Sequence, residues 1–64
     1  MKEVTYEDWK KNPTPRFMWV WDSNFRNKIK SKVIYLTRGC MLPVVTITDN
    51  EYFCVTYAHC AEIE

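Results

Sequence analysis

The stretch Arg16-Phe17-Met18-Trp19-Val20-Trp21-Asp22 decides how this chain folds. It is rich in aromatics, carries the β-branched Val20, follows Pro15 and runs into Asp22-Ser23-Asn24. A short apolar run with those flanks reads as a strand rather than a helix. Strand side chains alternate between faces. Phe17, Trp19 and Trp21 therefore share one face, and Arg16, Met18, Val20 and Asp22 the other. Both faces are largely apolar, so the strand is expected to be covered on both sides. Burying each large aromatic contributes about 2–3 kcal/mol, so Phe17, Trp19 and Trp21 are expected to form much of the core. A second reading sets Trp19 or Trp21 on a ligand or partner surface, because Trp joins a large apolar area to a single donor.

Toward the N-terminus, Thr5-Tyr6-Glu7-Asp8 has the form of a helix start. Thr5 can cap, and Asp8 stands three residues on, where a capping box needs an acceptor. Glu7 and Asp8 fall in the first turn and Lys10 and Lys11 in the last, matching the helix dipole. Pro13 forbids continuation, which leaves a helix from Tyr6 to Lys11. Tyr6 and Trp9 are three apart and share a face. So short a helix is not stable alone, so that face must dock on the sheet or on a neighbouring subunit. Asn12-Pro13-Thr14-Pro15 is a stiff, extended connector.

Toward the C-terminus, Ser23–Asn27 reads as a polar loop with one exposed aromatic, Phe25. Strand 2 is Lys28–Thr37, in which Lys28, Lys30 and Lys32 alternate with Ile29, Ser31 and Val33. Ile34 and Leu36 continue the lysine-bearing face, which predicts a long, bent strand shared between two sheets. Gly39, the only glycine, is expected to supply a positive φ in the turn after Arg38. Strand 3 is expected over Leu42–Thr48, with Pro43 near its start. Asp49-Asn50-Glu51 is a tight turn, and strand 4 is Tyr52–Tyr57. Ala58-His59-Cys60 reads as a brief turn or 3₁₀ turn, and Ala61–Ile63 as a short fifth strand pairing near strand 1. The expected fold is mainly β: a small SH3-like five-stranded barrel over residues 16–63, with a short N-terminal helix and segment over 1–12. An open four-stranded meander with a docked helix is the alternative.

At 64 residues the chain is one domain. A domain of this size buries only about 60% of its unfolded surface. Its residues are 47% hydrophobic and 16% aromatic, an excess that burial between subunits would absorb, so a homo-oligomer is expected. Net charge is +1, which gives no global signature for duplex nucleic acid. The charge is unevenly spread. Residues 16–38 carry Arg16, Arg26, Lys28, Lys30, Lys32 and Arg38 against Asp22; residues 39–64 carry Asp49, Glu51, Glu62 and Glu64 and no Lys or Arg. The basic part can attract an anionic ligand, or the two halves can complement each other across an interface. Three cysteines argue against a closed disulfide framework. The opening Lys2-Glu3-Val4-Thr5 has no apolar signal region, and no apolar run approaches membrane-spanning length, so a reducing cytoplasm and no membrane partner are expected.

Chemical motifs are sparse. Cys54, His59 and Cys60 are the one cluster of metal-ligand types, and their spacing does not suit structural zinc, which wants close Cys pairs and four ligands. They are better read as buried free thiols beside a satisfied His. Nothing in the local sequence specifies a Cys–His nucleophile pair. A single glycine cannot build a phosphate loop, and no carboxylates are paired by motif. No enzyme activity, metal or cofactor is expected. The strongest binding feature is the basic set Arg26, Lys28, Lys30 and Lys32, joined by Arg38, with the aromatics Trp19, Trp21, Phe25 and Tyr57, which can add base stacking to phosphate contacts. The lysines can equally form a solvated face that blocks edge pairing.

The run Pro15–Asp22, the apolar Val33-Ile34-Tyr35 after Lys32, Pro43-Val44-Val45 and the closing Tyr57-Ala58-His59-Cys60-Ala61-Glu62-Ile63 resemble a group of short bacteriophage early accessory proteins. The resemblance implies a small β-barrel made in the host bacterial cytoplasm. It also implies, at the level of the class, a non-enzymatic protein that counters a bacterial defence system. Two modes follow from it: sequestering a nucleotide immune signal, or binding and inhibiting a host defence protein.

Overall fold

A computed structural model describes residues 2–50 and 52–64. Helix α1, Tyr6–Lys11, precedes strands β1 (Arg16–Trp21), β2 (Ile29–Leu36), β3 (Val44–Ile47), β4 (Cys54–Tyr57) and β5 (His59–Ala61). A 3₁₀ turn, Phe25–Asn27, joins β1 to β2. All neighbouring strands are antiparallel, in the order β4-β3-β2-β1-β5. The architecture is thus mainly β, five strands in one open sheet with one short helix. β4 and β5 are not paired to each other, so the sheet does not close as the barrel reading expected.

The helix forms as its sequence requires. The Asp8 amide donates to Thr5 Oγ1 and the Thr5 amide to Asp8 Oδ2, a complete capping box. These bonds hold the Asp8 carboxyl below the usual carboxylate range. The Asn12 amide bonds back to the Trp9 carbonyl and ends the helix before Pro13. Trp9 is buried, and Tyr6 packs on the same core.

The core corrects the expectation for β1. Met18 and Val20 are fully buried, whereas Phe17 is 57% exposed and Trp19 and Trp21 are half-buried. The core row therefore runs Met18, Val20, Val33, Leu36, Val44 and Cys60, closed by Val4 and Trp9 from the N-terminal segment. Among the described residues there is one α-helix, and through Trp9 it packs on one face of the sheet. The aromatic row lies on the other face.

β2 is not shared between two sheets. Val33 pairs with Thr46 and Tyr35 with Val45, so Ile34 is an extra residue, a β-bulge. The bulge exchanges the faces. Val33 points inward before it and Leu36 after it, and both are buried although they are three residues apart. The lysine face before the bulge stays outward.

The C-terminal strand begins earlier than the sequence implied. Ala58 is a bend, and His59–Ala61 already pairs with Trp19–Trp21. β3 and β4 are each shorter at their N-terminal ends than expected, starting at Val44 and Cys54. In the connection between them, Asn50 Oδ1 accepts from Thr48 Oγ1 and the Tyr52 amide. The expected turn residue Glu51 lies outside the described residues. Gly39 has φ +75°, as the turn after β2 required. Arg16 ties β1 to the C-terminal segment through bonds to both oxygens of Glu62, the shorter at 2.7 Å, and its remaining NH group donates to the Asn12 and Thr14 carbonyls.

Trp9→Ala should remove about 3–5 kcal/mol from a domain whose whole stability is expected to be about 3–10 kcal/mol. Urea unfolding at 25 °C should show a midpoint far below that of the wild type, and a near-unchanged midpoint would mean that Trp9 is not part of the core. The Arg16 hydrogen bonds hold the Glu62 carboxyl below its ordinary value of 4.5. A depressed folded value adds stability above the unfolded pKa, and that stability is lost as pH falls through the folded one. Glu62→Gln should accordingly lower the melting temperature at neutral pH, with the difference from wild type shrinking as the solution is acidified.

Candidate ligand-binding face

Residues directly opposed in a ladder share a face. Phe17 is opposed by Lys32 and Trp19 by Lys30, while Trp19 and Trp21 are opposed on their other side by Ala61 and His59. The uncovered face of the sheet therefore carries an aromatic row flanked by a lysine row. Beyond the bulge the same face continues through Tyr35 and Val45.

The loop after β1 adds to this row. Asn24 Oδ1 accepts from the Arg26 amide, and the Asn24 and Phe25 carbonyls accept from the Asn27 and Lys28 amides. That turn folds Phe25 back on Trp21, edge to face, with ring centroids 4.8 Å apart. Lys28 Nζ then lies 4.4 Å from the Phe25 ring centroid and 5.3 Å from that of Trp19. Both distances are within the range of cation–π attraction. On the far side of Trp21 the His59 ring stacks at 5.5 Å, and His59 Nδ1 is 2.9 Å from Glu3 Oε2. Glu3, Trp21, Phe25 and Ala61 line a hollow of about 290 Å³.

Among the sequence-chosen residues, the structure gathers Trp21, Phe25 and Lys28 in one cluster and sets Lys30 on the same face. Arg26 is exposed on the 3₁₀ turn beside it. The other two lie elsewhere. Arg38 follows the far end of β2 and lines a separate hollow with Thr37, Gly39, Pro43 and Ala58. Tyr57 is opposed by the buried Val44, so it points to the covered face and packs on the core. The structure also sets Trp19 and Lys32 on this face. Sequence reasoning missed Phe17 as a member of it, and Glu3 and His59 as its rim; the signal for Phe17 was the match between two alternating rows, aromatic on one strand and lysine on the next.

The thiols also depart from expectation. Cys40 and Cys54 are exposed, and Cys60 alone is buried. Burial pushes the Cys60 thiol up to about 12, far from an active nucleophile. His59 is satisfied by Glu3. Among the described residues, no group of three His, Cys, Asp or Glu side chains is placed to hold a metal. No helix among them is long and apolar enough to cross a membrane.

What this face can do is stack a flat ring and hold an anion beside it. Lys28, Lys30 and Lys32 make no salt bridge among the described residues. Lys28→Ala should uncover the Trp19 ring without touching the core. Acrylamide quenching of tryptophan fluorescence should rise while the urea midpoint stays nearly constant. An unchanged quenching constant would mean that the ammonium does not shield the ring. Neither a protein-family model, nor a curated protein, nor a solved structure matches the chain.

Proposed function

We propose that this chain is a non-enzymatic binding protein that takes up a phosphorylated nucleotide on its aromatic and basic sheet face. The observation that carries the reading is Lys28, an ammonium over the Phe25 and Trp19 rings, on the face that also bears the exposed Phe17 and the lysines of β2. A base entering there would stack on a ring and displace the ammonium, which is then free to meet the phosphate. Stacking is worth about 1–3 kcal/mol per base in single-strand binders. Three or four lysines and arginines match the few charges of a small nucleotide better than the dense charge of a duplex. The resemblance to phage accessory proteins supports a fuller form of this proposal, a phage protein of the host cytoplasm that counters a bacterial defence by sequestering a nucleotide signal. An SH3-like curl of the open sheet is supported by Asp22, just past β1, whose Oδ1 accepts the amide of Ala58 between β4 and β5.

A second reading has an observation of its own. Phe17 and Tyr35 on this face are each more than half exposed, which also suits a protein-interaction module that blocks a host defence protein.

Native mass spectrometry with a panel of cyclic and adenosine-derived nucleotides separates the two. One nucleotide retained per copy, lost in the charge-reversed Lys28→Glu, Lys30→Glu variant with its fold intact, supports sequestration. Retention unchanged in that variant rejects the proposed site. No retention at all moves the weight to a protein partner, to be sought by pull-down.

A further inference from the structure

The sheet has two edges, and they are not alike. At β5, the Val4 amide donates to the Cys60 carbonyl at 2.8 Å and Glu3 bridges to Ala61, so the N-terminal segment covers that edge. At β4 nothing among the described residues pairs with the outer side, and Cys54, Val55 and Thr56 are all exposed. Natural edge strands are guarded by lysine, proline, a bulge or a cover. The segment Tyr52-Phe53-Cys54-Val55-Thr56-Tyr57-Ala58 holds no charge and no proline, and the β3–β4 ladder is regular. Tyr52 and Phe53 beside it are 86% and 64% exposed.

We infer that β4 pairs with β4 of a second copy of this chain, antiparallel, making one continuous ten-stranded sheet with a two-fold axis at Val55. Three observations select a second copy as the occupant. The β5 edge is taken, so head-to-tail growth has no acceptor, and only self-pairing of β4 uses the open edge. An uncharged segment meets its own copy with no like-charge repulsion. The hydrogen-bond pattern also supplies a symmetric register. The Thr48 amide donates to the Phe53 carbonyl, and bonding alternates along an antiparallel ladder. Phe53, Val55 and Tyr57 therefore turn their backbone groups toward β3, and Cys54 and Thr56 turn theirs outward. Pairing Cys54 with Thr56 of the second copy satisfies all four outward groups. Val55 then faces Val55 of the second copy, and Phe53 faces Tyr57. A two-fold perpendicular to the sheet puts both aromatic faces on the same side of the dimer. The inference does not depend on what that face binds.

Light scattering after size exclusion should give twice the 7.7 kDa chain mass for the wild type. Thr56→Pro removes an outward amide and leaves the β3 ladder whole, so it should run as a monomer with an unchanged far-UV spectrum. Val55→Lys should do the same by placing two ammonium groups on the axis. In a Cys40→Ser, Cys54→Ser background, Val55→Cys should form an intermolecular disulfide on mild oxidation, because opposed residues of a non-bonded pair sit about 4.5 Å apart. A wild type that remains monomeric at high concentration overturns the inference. So does a dimer that survives both edge variants or fails to cross-link through position 55.

Discussion

Met18 and Val20 are where this fold is decided. They sit on β1, the strand that is paired on one side by β2 and on the other by β5, and both are shut off from solvent. Val20 lies between Ile29 and Cys60 in the ladder, and the core continues from it to Val33, Leu36 and Val44. In a domain this small one such layer is nearly all the core there is. The N-terminal segment completes it with Val4 and Trp9, and Arg16 spreads its guanidinium 5.2 Å from the Trp9 ring. The other side of β1 is left to its own side chains.

That asymmetry explains the candidate site. Phe17, Trp19 and Trp21 stand on the uncovered side because Met18 and Val20 took the covered one. They are flanked by Lys30 and Lys32 of the neighbouring strand, and the Lys28 ammonium lies over the Trp19 ring. Charge and aromatic surface are thus interleaved by the sheet register and not by any local motif. The Asn24 turn adds Phe25 and Lys28 to the same surface by purely local hydrogen bonding.

Much of the fold was legible in the sequence, and what was lost has a physical cause in each case. The helix was readable to the residue because its determinants are local: Thr5, Asp8, the charged ends and Pro13. The turn at Gly39 was equally local. The inward row of β1 was not, because two apolar rows alternate there and nothing within the strand says which one meets the helix. The bulge at Ile34 was seen only as a conflict, with Leu36 falling on the lysine face. One inserted residue resolves it, but a bent strand resolves it equally well on paper. For the site, the alternating lysines were visible, whereas their apposition to Trp19 and Phe17 needed the β1–β2 register. Arg38 and Tyr57 had been grouped with them by residue type; the β3–β4 register turns Tyr57 to the covered face, and Arg38 lies past the end of β2.

The contact between Val4 and Cys60 also bears on how the chain acquires its structure. The hairpins β1–β2, β2–β3 and β3–β4 join neighbours in sequence and can close as they are made. β5 must find β1 across roughly forty intervening residues, and the segment ahead of the helix then finds β5 across more than fifty. Non-local pairings of this kind are slow, because loop entropy is lost before any contact returns it. On a ribosome the meander would stand with β1, the strand at its edge, half-paired until residue 61 had emerged. The pairing of β5 with β1, and of the Val4 segment with β5, is then the last to form, so closure of the core waits on residues 59–61.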